Sequence, residues 1–275
     1  MSANAAAAAG VLIPRREAGW RMGLANMLGK ELAAWWRTRR GWVQCLIALL
    51  LLNGTMALNL RDGMGGSRSI QNAVMAFMMM AALCVPFAAV SLAQDSILGE
   101  KHSGTAAWVL SKPLRRPAYL LAKLIAHGLG LFVAWVVLPG VVVYLQLLKP
   151  ADGYFTPLRI AGVMGLHYLN LLFFLTLALM LSTFFNGRGS VLGISLMLVW
   201  VGPMPFLSAP IQKYASWLYD VMPWKLLIDF NTNQPLAQYL ANGQPLPTVA
   251  PIIATALWCV LFTAVAIWRM SREEF

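Results

Sequence analysis

Long apolar stretches separated by polar connections are the main pattern of this chain. Each stretch approaches or exceeds the roughly 20 residues that a helix needs to cross a bilayer. They cover residues 42–60, 70–93, 120–148, 160–185, 190–209 and 249–268. Every face of them is apolar, whereas the strands of a membrane barrel alternate apolar and polar positions. The pattern predicts an all-α integral membrane protein with about six transmembrane helices.

An amphipathic segment at residues 24–41 precedes the first stretch, after a loose leader at residues 1–23. Its apolar residues recur at helical spacing, and Lys30 lies on the opposite side. This predicts an interfacial elbow helix, anchored in the headgroup layer by Trp35 and Trp36, whose basic residues meet membrane lipid. Glu31 falls within the apolar stripe, so we expect its carboxylate to have a partner. The alternative is a basic flank that only sets topology. The stripe consists of Leu24, Met27, Leu28, Leu32, Trp35 and Trp36.

A polar segment at residues 95–116 separates the second and third stretches. Gly99 can let the chain leave the second span, and Ser103 offers an N-cap for a short helix that reaches Leu110. Pro113 then stops this helix. The alternative is a charged turn, which would need neither a capped helix nor apolar residues on it. Those apolar residues are Trp108, Val109 and Leu110.

The connection between the fifth and sixth stretches, residues 210–248, is long and rich in proline, so it cannot form one helix. Tyr214, Trp217, Leu218 and Val221 nevertheless follow helical spacing. We therefore expect short interfacial helices here. The alternative is an irregular loop that carries aromatic residues of the membrane interface.

The positions of the basic residues predict the orientation. Fifteen of the 21 lysine and arginine residues lie before the first stretch, in the second and fourth connections, or in the tail. Because basic residues are enriched in cytoplasmic loops, we expect both termini and the 95–116 segment to be cytoplasmic. The net charge of +11 then reflects basic residues that lie beside the membrane, so we expect no nucleic-acid partner. Only 11% of the residues are charged, against about 25% in a soluble domain.

Motifs for catalysis or cofactor binding fail on their spacing. A phosphate-binding Walker loop needs two glycines separated by four residues, then Lys and Ser or Thr. Gly23 and Gly29 bracket five residues, and Lys30 is followed by Glu31. The three histidines lie on different segments, so no metal site is expected, and His127 should bond to a neighbouring helix. The sequence predicts no catalytic, cofactor or metal site and no enzymatic activity in this chain.

Short motifs recur at fixed places beside these stretches. They are Lys30-Glu31-Leu32, Glu100-Lys-x-x-Gly104-Thr105, Leu110-Ser-x-Pro113-x-x-Arg116 and Lys123. In these motifs, and in its layout from about residue 24, the chain resembles the membrane subunits of type-2 ABC exporters. Asp95-x-Ile-x-Gly-Glu100 resembles the multicopper-enzyme maturation group, which includes the permease of nitrous-oxide-reductase assembly.

This resemblance implies a permease domain at residues 42–275 and a pathway formed by two such subunits, as a homodimer or a heterodimer. Each subunit would couple through its 95–116 segment to a separate ATPase subunit, which binds the ATP. The alternative is a secondary transporter or small-molecule channel, which usually carries intramembrane charge for ion coupling. The resemblance implies an ATPase-coupling role for Glu100, Gly104, Thr105, Trp108, Leu110, Pro113, Arg115 and Arg116.

Overall fold

Helices make up the regular structure that the computed structural model describes, at residues 19–62, 67–151, 154–229 and 235–272. This confirms the all-α prediction. A short 3₁₀ turn at Gly19–Arg21 precedes the first of them. The helices are α1 (Leu24–Trp36), α2 (Arg39–Arg61), α3 (Ser67–His102), α4 (Thr105–Leu110), α5 (Arg116–Leu147), α6 (Pro157–Phe184), α7 (Arg188–Trp200), α8 (Pro205–Tyr214), α9 (Ser216–Asp220), α10 (Trp224–Leu227), α11 (Leu236–Ala241) and α12 (Ala250–Arg272).

Five of these helices are long and apolar enough to cross a membrane, namely α2, α3, α5, α6 and α12. The bent pair α7 and α8 brings the number to six if it forms one span. Helix α6 lies at the centre of the bundle, where it packs against α3 and α12 along their lengths. The predicted number of about six spans is confirmed.

The fifth span is broken, although the sequence predicted a continuous helix over residues 190–209. Helices α7 and α8 meet at an angle of 72°. The break contains Gly202, and Pro203 and Pro205 lack the backbone N–H groups that would continue the helix. Helix α7 alone has 13 residues, or roughly 20 Å of a hydrocarbon core about 30 Å thick.

Short helices fill the part of the next connection that is described, as predicted. The helical spacing read from Tyr214 through Trp217 is wrong, however, because Ala215 adopts φ −144° and ψ 60° and ends α8. Tyr214 and Trp217 are both strongly exposed. Packing comes instead from Tyr219, whose hydroxyl donates to the buried Asp229 carboxylate at 2.5 Å.

Two π-helical segments interrupt neighbouring spans, at Leu49–Asn53 in α2 and Phe132–Val137 in α5. The two spans are joined by an exchange of amide hydrogen bonds between Asn53, which ends the first segment, and Gln146, near the end of α5. Asn53 Nδ2 donates to Gln146 Oε1 at 3.3 Å, and Gln146 Nε2 donates to the Asn53 carbonyl at 3.1 Å. Such polar bonds satisfy groups that hydrocarbon cannot, so they hold α2 against α5.

Candidate functional site

A buried ionic cluster joins α1, α3 and α5 where α3 ends and α5 begins. Lys123 Nζ lies 3.2 Å from Glu31 Oε1 and 3.1 Å from Glu100 Oε1. The Tyr119 hydroxyl donates to Glu100 Oε2 at 2.5 Å, and Lys30 Nζ lies 3.3 Å from Glu100 Oε1. The expected partner of Glu31 is therefore Lys123, a residue 92 positions further along the chain.

Burial makes this cluster sensitive to the loss of its buried members, Lys123 and Glu31. The Lys123 side chain is 1% exposed and that of Glu31 is 8% exposed, whereas that of Lys30 is 53% exposed. A charge can be buried at tolerable cost only when opposite charge and hydrogen bonds compensate it. Tyr119 and Lys123 are four residues apart, so both reach Glu100 from one face of α5. Tyr119 was not identified from the sequence, although this spacing was visible.

Trp35 fastens α1 to α5, so its predicted role as a headgroup anchor is wrong. The indole is fully buried, and its Nε1 donates to His127 Nδ1 at 3.1 Å, which confirms the expected bond of His127 to another helix. A Cβ on Gly130 would lie 2.3 Å from the Trp35 ring, so only glycine admits the indole. Trp36 is 38% exposed, so its contact with the headgroup layer stays a prediction. The elbow helix ends at Trp36, and Thr38 caps α2, so the elbow is shorter than the predicted 24–41.

The turn that leads out of α3 lies at Gly104, not at Gly99. Helix α3 continues through Gly99 to His102, and Gly104 adopts φ 71°, a left-handed conformation that favours glycine. Ser103 is not the N-cap of α4, because Gly104 occupies that position without a side-chain cap. The Ser103 hydroxyl instead lies 2.7 Å from the Thr105 hydroxyl.

Helix α4 has one buried and one exposed side. Val109 is buried, and Leu110 packs against the core of the chain. Leu110 is therefore partly covered by this chain, which leaves less of its side chain free for the ATPase-coupling role that the resemblance implies. Trp108 points away from the core and is 64% exposed, with the Lys112 ammonium 5.0 Å from its ring.

The segment that follows α4 is fixed at the end that enters α5. The Arg115 backbone N–H donates to the Met22 carbonyl at 3.1 Å, while its side chain is exposed, as is Pro113. Arg116 Nη1 donates to the carbonyls of Met270 and Ser271 at 3.2 and 2.7 Å. Arg116 thus binds the carboxyl end of α12, where helix carbonyls lack partners and attract positive charge.

Residues predicted to share one membrane face do meet at one end of the bundle, which we call the basic end. Asp95 Oδ1 lies 2.8 Å from Arg188 at the start of α7, and Asp95 Oδ2 lies 3.9 Å from Arg40 at the start of α2. His102 Nε2 lies 2.8 Å from the Asn186 carbonyl. Within the described ranges, no three His, Cys, Asp or Glu residues are grouped to hold a metal ion.

The helical bundle, with its ion-paired elbow helix and the short α4 at the basic end, is that of a multi-pass membrane protein. A family model described as "ABC-2 family transporter protein" matches residues 25–275. The chain belongs to this family.

Two curated relatives carry the description "Probable ABC transporter permease protein NosY". The protein from Pseudomonas aeruginosa is 28% identical over 258 residues, which cover 87% of this chain and 90% of the relative. The protein from Stutzerimonas stutzeri is 26% identical over 270 residues, which cover 88% and 93%. The chain is accordingly an ABC transporter permease subunit of the cell membrane, and the finer resemblance drawn from residues 95–100 agrees with these relatives.

Proposed function

We propose that this permease works in an ATP-driven exporter and is coupled to a separate ATPase subunit through its 95–116 segment. A second permease subunit, identical or different, completes the pathway. Membership of the ABC-2 family supports an ATPase partner in general. The observation that carries the assignment of the contact is the exposed Trp108 on helix α4, whose opposite side is buried.

Trp108 has the properties of an interface anchor. A few large residues, tryptophan prominent among them, supply most of the binding free energy of a typical interface. Here the indole lies at the basic end, next to basic Lys112, and beyond the end of α3. Because Ala106 and Val109 are buried, α4 is held firmly enough to present this side chain in one orientation.

The ionic cluster gives a route from α4 into the bundle. Glu100 lies one turn before the Gly104 bend, and its carboxylate contacts Lys30 of α1 and Lys123 of α5. A displacement of α4 would therefore act on three helices together. In this proposal, Glu100, Gly104 and Thr105 shape the contact, and Arg115 flanks it.

Trp108→Ala tests this assignment. Loss of a buried aromatic anchor often costs about 2 kcal/mol, or roughly thirtyfold in affinity. The variant should insert normally in the membrane, co-purify poorly with the co-expressed ATPase subunit and lose transport. Trp217→Ala is the matched control, because Trp217 is equally exposed but lies in a connection predicted to face the other side. Normal co-purification of both variants, with transport retained by Trp108→Ala, would contradict the assignment.

The division of labour gives a second test. In this proposal no residue of the permease binds nucleotide, so ATP should bind only when the ATPase subunit is present. Equilibrium binding of labelled ATP to the purified permease alone should show no saturable site. Saturable, tight binding by the isolated permease would overturn this part of the proposal.

A further inference from the structure

An apolar groove of about 460 Å³ lies between α5 and α6. Its wall on α5 runs from Phe132 to Tyr144, and its wall on α6 runs from Pro157 to Tyr168. Both helices cross the membrane, and Val137 and Val141 of the α5 wall are exposed, so the groove lies on the membrane-embedded surface of the chain. It lies far from the basic end and shares no residue with the ionic cluster.

Local features of the two helices make the groove deep. The π-helical segment Phe132–Val137 forms part of its wall on α5, where it interrupts the regular packing of side chains. On α6, Gly165 leaves open space, since a Cβ at this position would meet no atom within 4 Å. The floor is shaped by Gly140, where a Cβ would lie 3.0 Å from Met164.

The length of the groove identifies its occupant. From Pro157 to Tyr168 the axis of α6 rises roughly 17 Å, at 1.5 Å per residue. A single leaflet contributes about 15 Å of the hydrocarbon core of about 30 Å. One acyl chain matches this length, whereas a membrane-spanning helix from a second copy would need a groove through the whole core.

Charge at the mouth of the groove fits a phospholipid. Tyr144 and Pro157 line the end of the groove that leads into the connection between α5 and α6. This connection carries the exposed Lys149, immediately beyond α5. An ammonium group at the membrane interface attracts the phosphate of a headgroup.

We propose that the groove binds one acyl chain of a phospholipid from the leaflet beside the α5–α6 connection, with the headgroup at Lys149. This site is separate from the contact proposed for the ATPase. The lipid is held by apolar burial along the groove and by charge at its mouth.

Gly165→Trp tests the proposal, because an indole at this position would fill the open space. The wild-type permease, purified in mild detergent, should retain phospholipid that native mass spectrometry detects. We expect Gly165→Trp to retain about tenfold less. Gly193→Trp is the matched control, since a Cβ on this helical glycine of α7 also meets no atom within 4 Å. It should retain lipid as the wild type does.

A crosslinking measurement on the wild-type chain keeps the test independent of how the variants fold. A phospholipid with a diazirine on its acyl chain should label the groove walls more than the exposed apolar faces of α2 and α12. Even labelling of all these faces would overturn the proposal. So would equal lipid retention by both tryptophan variants, or a Gly165→Trp variant that changes only the oligomeric state, which would assign the groove to a second copy.

Discussion

Lys123 is the residue on which the junction of α1, α3 and α5 depends. Its ammonium is buried and pairs with both Glu31 and Glu100. Removing one member of a buried pair leaves an uncompensated charge, which costs more than the pair itself contributes.

Lys123→Met should lower the free energy of unfolding by about 3 to 5 kcal/mol. Lys30→Met should cost less than about 1 kcal/mol, because the Lys30 ammonium is half exposed and solvent screens its pairs. Thermal unfolding of the purified variants compares the two. A second change, Glu31→Gln in the Lys123→Met background, should restore part of the loss. Equal costs for the two lysine variants would show that the buried cluster is not the stabilising element.

The sequence predicts part of this site, and Glu31 and Trp35 show why it does not predict the rest. Glu31 had to have a partner, because it lies in an apolar stripe, but nothing in local spacing identifies a lysine 92 residues away. The prediction for Trp35 was wrong because periodicity finds an apolar face without showing whether protein or lipid covers it. Gly130, which makes room for the indole, lies on another helix.

At the scale of elements, the bend between α3 and α4 determines where Trp108 is presented. The sequence pattern placed this bend at Gly99, and helix geometry alone did not favour Gly104, five residues further on. Only Gly104 has a positive φ, so only here does a side chain introduce backbone strain.

Gly104→Ala should therefore destabilise the protein by about 1 to 2 kcal/mol and weaken binding of the ATPase subunit. Gly99→Ala should be close to neutral, since Gly99 is helical and a Cβ would meet only the side-chain ends of Asp95 and Arg188, the nearest atom at 3.3 Å. Thermal unfolding and co-purification measure both effects. A larger loss for Gly99→Ala would place the critical bend where the sequence first suggested.

The broken fifth span also shows what a sequence pattern cannot predict about a helix. A hydropathy pattern averages over about 20 residues, so it merges α7 and α8 into one apolar run. Gly202 and the prolines at 203 and 205 were the local signals against a continuous helix. The angle of 72° between the two helices cannot be read from such a pattern.

For the whole molecule, the remaining prediction is orientation in the membrane. Arg40, Arg116 and Arg188 all lie at the basic end, as their predicted common side requires. The excess of basic residues there predicts that this end is cytoplasmic.

Single cysteines at positions 103 and 67, in a background without the native cysteines, test the orientation. A membrane-impermeant thiol reagent applied to intact cells should label Ser67→Cys and leave Ser103→Cys unlabelled until the membrane is opened. Permeabilised cells provide the control for accessibility. Labelling of position 103 from outside, without labelling of position 67, would show that the topology is inverted. Helix α4 would then lie on the side of the membrane opposite to the ATPase.

Site-specific photocrosslinking in native membranes tests the central claim most directly. A photoreactive amino acid at exposed Ala107, beside Trp108 on α4, should yield an adduct with an ATPase subunit identifiable by mass spectrometry. The same amino acid at exposed Ser216, on α9, should yield none. An ATPase adduct from position 216, or none from position 107 in membranes that contain the assembled transporter, would contradict the coupling of this permease through α4.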